Sequence, residues 1–134
     1  MIGRQINKRY RIEREIGQGG MGTVYKAYDT VLKRDVAIKM LTETRLGTEG
    51  RNRLMREAQA IAQLSHPNII TVFDTAEYEK SPFIVMEYVE GVNLYDHPPT
   101  GMGMIVAVIQ QISAALAHPH EPLASICSIR SVVK

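Results

Sequence analysis

The sequence predicts an α+β fold, in which a five-stranded antiparallel sheet and one main helix follow the order βββαββ and precede a partial helical segment. Apolar and polar residues alternate from Tyr10 onward, and further short runs rich in β-branched and aromatic residues follow. Between the third and fourth of these runs, residues 50–64 repeat with the period of an α-helix. Short polar breaks separate the strand runs, as is typical of antiparallel neighbours.

The first three strands surround a glycine-rich turn. Tyr10, Ile12 and Ile16 should point to one side of the first strand, which predicts a half-buried strand. The turn runs into TVYKAYD, a sequence poor in helix formers, so it should join strand to strand. The third strand, DVAIKML, is apolar apart from its first residue and Lys39. It should therefore be the most buried of the three.

The helix and the last two strands follow in order. GRNRLMREAQAIAQL should form a helix that ends at SHP, because a proline disfavours helical geometry in the residue before it. NIITVFDTAEY and PFIVMEYV predict two more strands, and residues 104–117 predict a further helix after the loop HPPTGMG. The tail after residue 117 has no convincing period. The apolar stripe of the main helix should consist of Leu54, Ala58, Ile61 and Leu64.

Length, charge and amino-acid composition exclude several classes of protein. The chain has 134 residues, a net charge of +2 and a single cysteine, Cys127, which predict one domain without an internal disulfide. Basic residues are scattered, which argues against a nucleic-acid partner. There is no signal-peptide pattern or membrane-length apolar run, so we expect a cytoplasmic location and no membrane segment in this chain.

The glycine-rich turn IGQGGMGTVYKA is the first candidate site. A Walker A loop needs Lys after its last glycine, but Gly22 is followed by Thr23 and Val24. A Rossmann fingerprint should open a helix, whereas a strand sequence follows here. A hairpin lying over a triphosphate remains possible, beside the plainer alternative of an ordinary glycine-rich hairpin.

Lys39 and Glu57 make the phosphate-binding alternative more specific. An ammonium inside an apolar strand needs an anion, because burying it alone costs several kcal/mol. Glu57 lies three residues after Leu54 and four before Ile61, on the inward stripe of the helix. We therefore expect the two charges to pair, with nucleotide phosphates completing the set.

Together, GQGGMGTV, VAIK and the REA helix followed by HPN resemble the N-terminal lobe of a protein kinase, most like bacterial serine/threonine kinases of eukaryotic type. The resemblance implies an ATP-binding lobe over residues 10–90. Residues 91–134 would be the hinge exit and an incomplete start of the helical C-lobe, with a poorly structured tail. It further implies the family's reaction, transfer of a phosphoryl group from ATP to protein Ser or Thr.

The resemblance also implies site residues. Lys39 would contact the α- and β-phosphates, and Glu57 would hold Lys39 in position. The glycines shaping the phosphate lid would be Gly17, Gly19 and Gly22. Ile16, Val24 and Ala37 would sandwich adenine, Met86 would guard the back of the pocket, and the backbone of Glu87 and Val89 would pair with the adenine edge.

The catalytic motifs of the family are missing from these 134 residues. No aspartate follows Asp96 and no asparagine follows Asn93, so neither an HRD loop nor a DFG motif is present. The catalytic base and the protein ligands for Mg²⁺ are therefore absent, and we expect a truncated, catalytically incomplete chain. His118, His120 and Cys127 make a poor metal site, and none is predicted.

Three alternatives to an ATP-binding kinase portion stay open. The chain could be a non-enzymatic, pseudokinase-like interaction module or a non-functional gene fragment. It could also fail to fold alone, since a lobe of this size is marginal by buried area.

Overall fold

The computed structural model describes residues 1–19, 22–41, 47–63, 67, 69–91 and 100–116. Within these ranges the side chains of five helical residues lie outside the description: Leu54, Glu57, Ile61, Ala115 and Leu116. The predicted helix end near SHP, the loop after residue 91 and the tail fall wholly or largely outside it.

The described chain contains six strands and two helices. The strands are β1 Gln5–Ile6, β2 Tyr10–Gly19, β3 Gly22–Asp29, β4 Arg34–Leu41, β5 Val72–Tyr78 and β6 Ser81–Glu87, and the helices are α1 Gly47–Ile61 and α2 Met102–Leu116. The strands form one antiparallel sheet in the order β1-β2-β3-β4-β6-β5. The α+β fold and all five predicted strands are confirmed. The strand count was wrong by one, because β1 has only two residues, too few to show an alternating pattern.

The sheet curls so that one face closes on itself. Tyr10 of β2 meets Phe83 of β6 edge to face, with ring centroids 6.1 Å apart, although two strands separate them in the sheet. At the sheet margins, the Asn7 side chain donates a hydrogen bond to the Glu77 carbonyl at 3.2 Å. This closed face is lined by the buried residues Ile6, Tyr10, Ile12, Ala27, Val36, Ile38, Phe83 and Val85.

The opposite face, here called the helix face, carries α1. Ala58 of α1 is fully buried against it and Met55 packs beside it. The core of the helix face consists of Ala37, Leu41, Ala58, Val72, Ile84 and Met86, with Val24, Met55, Ile70 and Tyr88 packed against it. Alternation along β4 assigns Ala37, Lys39 and Leu41 to this face, since Val36 and Ile38 belong to the closed face.

Strand β2 is irregular. Its pairing with β3 shifts register between Ile12 and Arg14 and again between Glu15 and Gly17. Each shift inserts one residue and exchanges the faces of the residues after it. The expectation that Ile16 shares the buried side of Tyr10 and Ile12 is therefore wrong: Ile16 occupies the second irregularity and is 38% exposed.

An ion pair between the half-buried Arg9 and the buried Asp29 fixes the end of β3 on the closed face. The Arg9 guanidinium donates two hydrogen bonds to the Asp29 carboxylate, at 2.8 and 3.0 Å. The carboxylate also accepts from the N–H groups of Val31 and Leu32 in the following turn. These bonds, the Arg9 contact above all, lower the pKa of Asp29 to about 2.

Helix α2 contrasts with the sheet. Val108 is buried, but Met102 and Ile109 are more than half exposed. No helix in the described ranges is long and apolar enough to cross a bilayer.

Candidate functional site

The glycine-rich segment joins β2 to β3 as a hairpin, as predicted, and opens no helix. Gly19 and Gly22 are register partners at its base, and residues 20 and 21 lie outside the described ranges. Gly22 has a φ of +151°, and a Cβ built on it would lie 1.9 Å from the Met40 carbonyl oxygen. Only glycine therefore allows β3 to approach β4 at this position.

Gly17 has a different environment. It pairs with Val24, its φ is not in the left-handed region, and a Cβ built on it would meet nothing within 4 Å. Neither strand geometry nor neighbouring atoms require glycine at this position. The backbone around Gly17 is instead left open to whatever lies against the hairpin.

Lys39 lies in the middle of the sheet. Its register partners are Val24 on β3 and Ile84 on β6, and its side chain is half-buried on the helix face. Among the side chains that the structure describes, the Lys39 ammonium makes no ion pair. Glu57 belongs to α1, which packs on the same face, but its side chain is outside the description, so their pairing stays a prediction.

Three of the four side chains expected around adenine, Val24, Ala37 and Met86, lie together on the helix face. Ala37 and Met86 are register partners on adjacent strands, and both are at most 7% exposed. Val24, from β3, packs against the same cluster. Ile16 stands apart, exposed in the irregular part of β2.

Strand β6 ends at Glu87. Its N–H donates to the Thr71 carbonyl at 2.9 Å, and its carboxylate accepts from the Thr71 N–H at 3.4 Å. Val89 is half-buried in the irregular stretch that follows β6. The end of β6 is thus anchored to the residue just before β5.

A contact that sequence reasoning missed holds Tyr88. The Arg14 guanidinium donates to the Tyr88 hydroxyl at 2.9 Å, and the Lys26 ammonium lies 5.2 Å from the Tyr88 ring centroid. Arg14 lies on the same face of the sheet as Lys26 only because of the first register shift in β2, and no sequence period indicates that shift.

No cluster of three or more His, Cys, Asp or Glu side chains that could hold a metal occurs in the described part of the chain.

A curled antiparallel sheet with a glycine hairpin, a mid-sheet lysine and one helix against it is the architecture of the N-terminal lobe of a protein kinase. The protein kinase domain family matches residues 10–125. The chain therefore belongs to that family.

Relatives and solved structures agree with this assignment. The serine/threonine-protein kinase PrkC of Bacillus subtilis is 41% identical over 130 residues, covering 90% of this chain and 19% of PrkC. PksC of Streptomyces coelicolor, also a serine/threonine-protein kinase, is 54% identical over 89 residues, covering 62% of this chain and 16% of PksC. The kinase domain of Mycobacterium tuberculosis PknI superposes with a TM-score of 0.72 at 28% identity, covering 87% of this chain and 49% of that domain.

The match is partial in length. The chain spans about a fifth of PrkC and about half of the PknI kinase domain. Membership implies ATP as phosphoryl donor and Mg²⁺ as its metal in the family.

Proposed function

We propose that this chain is the ATP-binding portion of a cytoplasmic bacterial serine/threonine kinase. Residues 10–90 would form the nucleotide-binding lobe, and residues 91–134 the exit from the hinge and the beginning of the helical lobe. The observation that carries the proposal is Lys39, a cation at the centre of a sheet face beside Val24 and Ala37.

Electrostatics favours an anion next to Lys39. Taking an ammonium partly out of water is unfavourable unless opposite charge or hydrogen-bond acceptors replace the water. The phosphates of a nucleotide would supply both, with Glu57 of α1 as the chain's own counter-charge. Lys39 would contact the α- and β-phosphates, and Glu57 would hold its ammonium in place.

The glycine hairpin supports a ligand of this kind. Since nothing in the described part of the chain requires glycine at position 17, its open backbone fits an approaching phosphate group. Gly19 and Gly22 would shape the same lid, although the packing of β4 is enough to explain Gly22.

The adenine would lie between apolar side chains. Val24 and Ala37 offer an apolar surface, Ile16 would cover the ring from the exposed part of β2, and Met86 would close the back. Because the Glu87 N–H is already donated to Thr71, its carbonyl oxygen is the atom that Glu87 would offer to the adenine amino group. The Val89 backbone would pair with the adjacent ring edge.

We further propose that these 134 residues bind nucleotide without transferring its phosphoryl group. Their sequence has no aspartate after Asp96 to act as base or to hold Mg²⁺, and the described residues contain no metal-ligand cluster. A positioned base alone contributes about 10²–10⁴-fold in rate. Any Mg²⁺ would be held by the nucleotide phosphates.

Calorimetric titration of the 134-residue chain with Mg-ATP tests the proposal. We expect Lys39→Met to weaken binding by about tenfold or more, since it removes a charge-assisted contact. Arg4→Met is the matched control, because it removes one positive charge from an exposed position. Equal affinities of Lys39→Met and the parent, or no heat with a cooperatively folded parent, would refute the proposal.

A second candidate is a non-enzymatic interaction module, which the apolar exposure of α2 favours. Met102, Val106 and Ile109 are 74%, 44% and 56% exposed. This candidate predicts a folded chain that ignores Mg-ATP and forms a stoichiometric complex with a protein partner, which Ile109→Ser abolishes. ATP binding without such a complex would exclude it.

A further inference from the structure

Three side chains connect the segment after β6 to the strands that carry the glycine hairpin. Arg14 of β2 donates from its guanidinium to the Tyr88 hydroxyl at 2.9 Å. Lys26 of β3 holds its ammonium 5.2 Å from the Tyr88 ring centroid. Arg14, Lys26 and Tyr88 are here called the hinge clamp.

The register shift in β2 creates the clamp. Ile12 pairs with Ala27 and Arg14 pairs with Lys26, so one residue of β2, Glu13, is inserted between these pairs. In a regularly paired strand residues 12 and 14 share a face, so without this register shift Arg14 would lie on the closed face with Ile12. The insertion instead turns Arg14 to the side of its partner Lys26, and both cations reach the same tyrosine.

Lys26 is itself held in place. Its ammonium lies 3.2 Å from the Glu13 carboxylate and 3.7 Å from that of Asp35, on the strands to either side. The Glu13 hydrogen bond is the main cause that raises the pKa of Lys26. The cation beside the Tyr88 ring is therefore fixed by both neighbouring strands.

The clamp adjoins the proposed adenine site. Lys26 is the register partner of Ala37 and lies two residues after Val24 on the same face. Tyr88 lies between Glu87 and Val89, and its ring packs against the cluster that contains Ala37 and Met86. The clamp thus connects the apolar side chains proposed to cover the adenine ring with the backbone proposed to hydrogen-bond to its edge.

We propose that the hinge clamp is a positioning device, which fixes the hinge backbone relative to the glycine-hairpin strands and thereby sets the affinity for the adenine moiety. The inference rests on the proposed ATP binding. Tyr88, Arg14 and Lys26 are positioning residues, since they act through the backbone of Glu87 and Val89. The clamp should therefore affect the affinity for the adenine base, whereas Lys39 and the glycine hairpin should determine the affinity for the phosphates.

A purely structural role for the clamp predicts different behaviour. Such a role would lower stability and weaken all ligands equally. The chain offers a matched control in Arg11 and Tyr28, which are register partners on the same two strands, with the Arg11 guanidinium 5.2 Å from the Tyr28 ring centroid. This pair makes a similar contact without touching the segment after β6.

The experiment compares Tyr88→Leu, Tyr88→Phe and Arg14→Met with Tyr28→Leu and Arg11→Met, all in the 134-residue chain. Each variant is titrated with ATP, adenosine and inorganic tripolyphosphate. We expect Tyr88→Leu to weaken ATP and adenosine by about tenfold, and Tyr88→Phe and Arg14→Met by about three- to fivefold, from the loss of one hydrogen bond. Tripolyphosphate affinity should not change, and the control variants should bind as the parent does.

The double variant Tyr88→Phe/Arg14→Met isolates the hydrogen bond. Its loss should equal that of either single variant, because both single variants remove the same contact. If the two losses of affinity multiply in the double variant, the proposed role of the clamp is wrong. It is also wrong if Tyr88→Leu weakens the binding of ATP and of tripolyphosphate equally.

Hydrogen exchange of the nucleotide-free chain separates this proposal from the ATP-binding proposal. Tyr88→Leu should accelerate exchange of the amides of residues 86–90 by about tenfold relative to Tyr28→Leu. Unchanged exchange there refutes the clamp even if the parent binds ATP. A parent that binds none of the three ligands refutes the nucleotide-binding function and, with it, the clamp's role in adenine affinity.

Discussion

The closed face and the helix face are formed by the same strands but differ in how their charges are satisfied. On the closed face, Asp29 is 1% exposed and receives four hydrogen bonds from Arg9 and the following turn. On the helix face, Lys39 is half-buried at mid-sheet beside an open stretch of the glycine hairpin. We therefore expect changes on the closed face to affect stability and changes on the helix face to affect ligand binding.

The largest expected effect is at Phe83. It is fully buried on the closed face, so Phe83→Ala should lower the free energy of unfolding by about 3–5 kcal/mol, measured by denaturant titration. Val24→Ala on the helix face should cost less than about 1.5 kcal/mol, because Val24 is only partly buried, and should weaken ATP binding instead. If Phe83→Ala does not fold, Phe83→Leu provides the comparison. Equal losses of stability at Phe83 and Val24 would remove the distinction between the faces.

An intermediate effect is expected at Asp29. Its folded-state pKa of about 2 is below its ordinary value of 3.8, so the ionised carboxylate stabilises the fold above pH 4. That contribution, about 2 kcal/mol, should disappear as the pH falls from about 4 to about 2. Comparing the unfolding of Asp29→Asn with that of the parent across this range tests the expectation. A difference that does not shrink on acidification would contradict it.

The smallest expected effect on stability is at Gly17, which contrasts with Gly22 of the same hairpin. Gly22→Ala should destabilise the protein by about 1–3 kcal/mol, because the new methyl group would meet the Met40 carbonyl. Gly17→Ala should change stability by less than about 0.5 kcal/mol yet weaken Mg-ATP binding severalfold. Thermal melts and calorimetry on both variants measure the two quantities. If Gly17→Ala lowers stability and leaves the affinity for Mg-ATP unchanged, Gly17 serves the fold and not the ligand.

Sequence patterns predicted the regular elements well. The β-branched and aromatic composition of β3, the apolar runs of β4 and β6 and the period of α1 identified these strands and this helix within a few residues. Each of these elements is seven or more residues long, and its buried positions mostly require apolar side chains, so its sequence carries a recognisable pattern. Strand β1 was missed because two residues cannot show a period.

The candidate site was predicted less completely, for reasons that lie in β2. Its two register shifts place Ile16 in the exposed part of the strand and turn Arg14 toward Tyr88, and neither outcome can be read from an alternating pattern. Lys39 was predicted from the residues themselves, since one charge in an apolar strand is a local signal, whereas Ala37 was named only because the family resemblance implies it. The pairing of Lys39 with Glu57 lies outside the described side chains.

The hydrogen bond between Asn7 and Glu77 has a consequence for self-association. Sheet margins with unpaired backbone groups are templates for adding strands from other molecules, which leads to aggregation. Here a two-residue strand forms one margin, and the Asn7 side chain reaches across to the other. Asn7 therefore engages one backbone carbonyl of β5, and we expect its replacement to leave that acceptor available to an added strand.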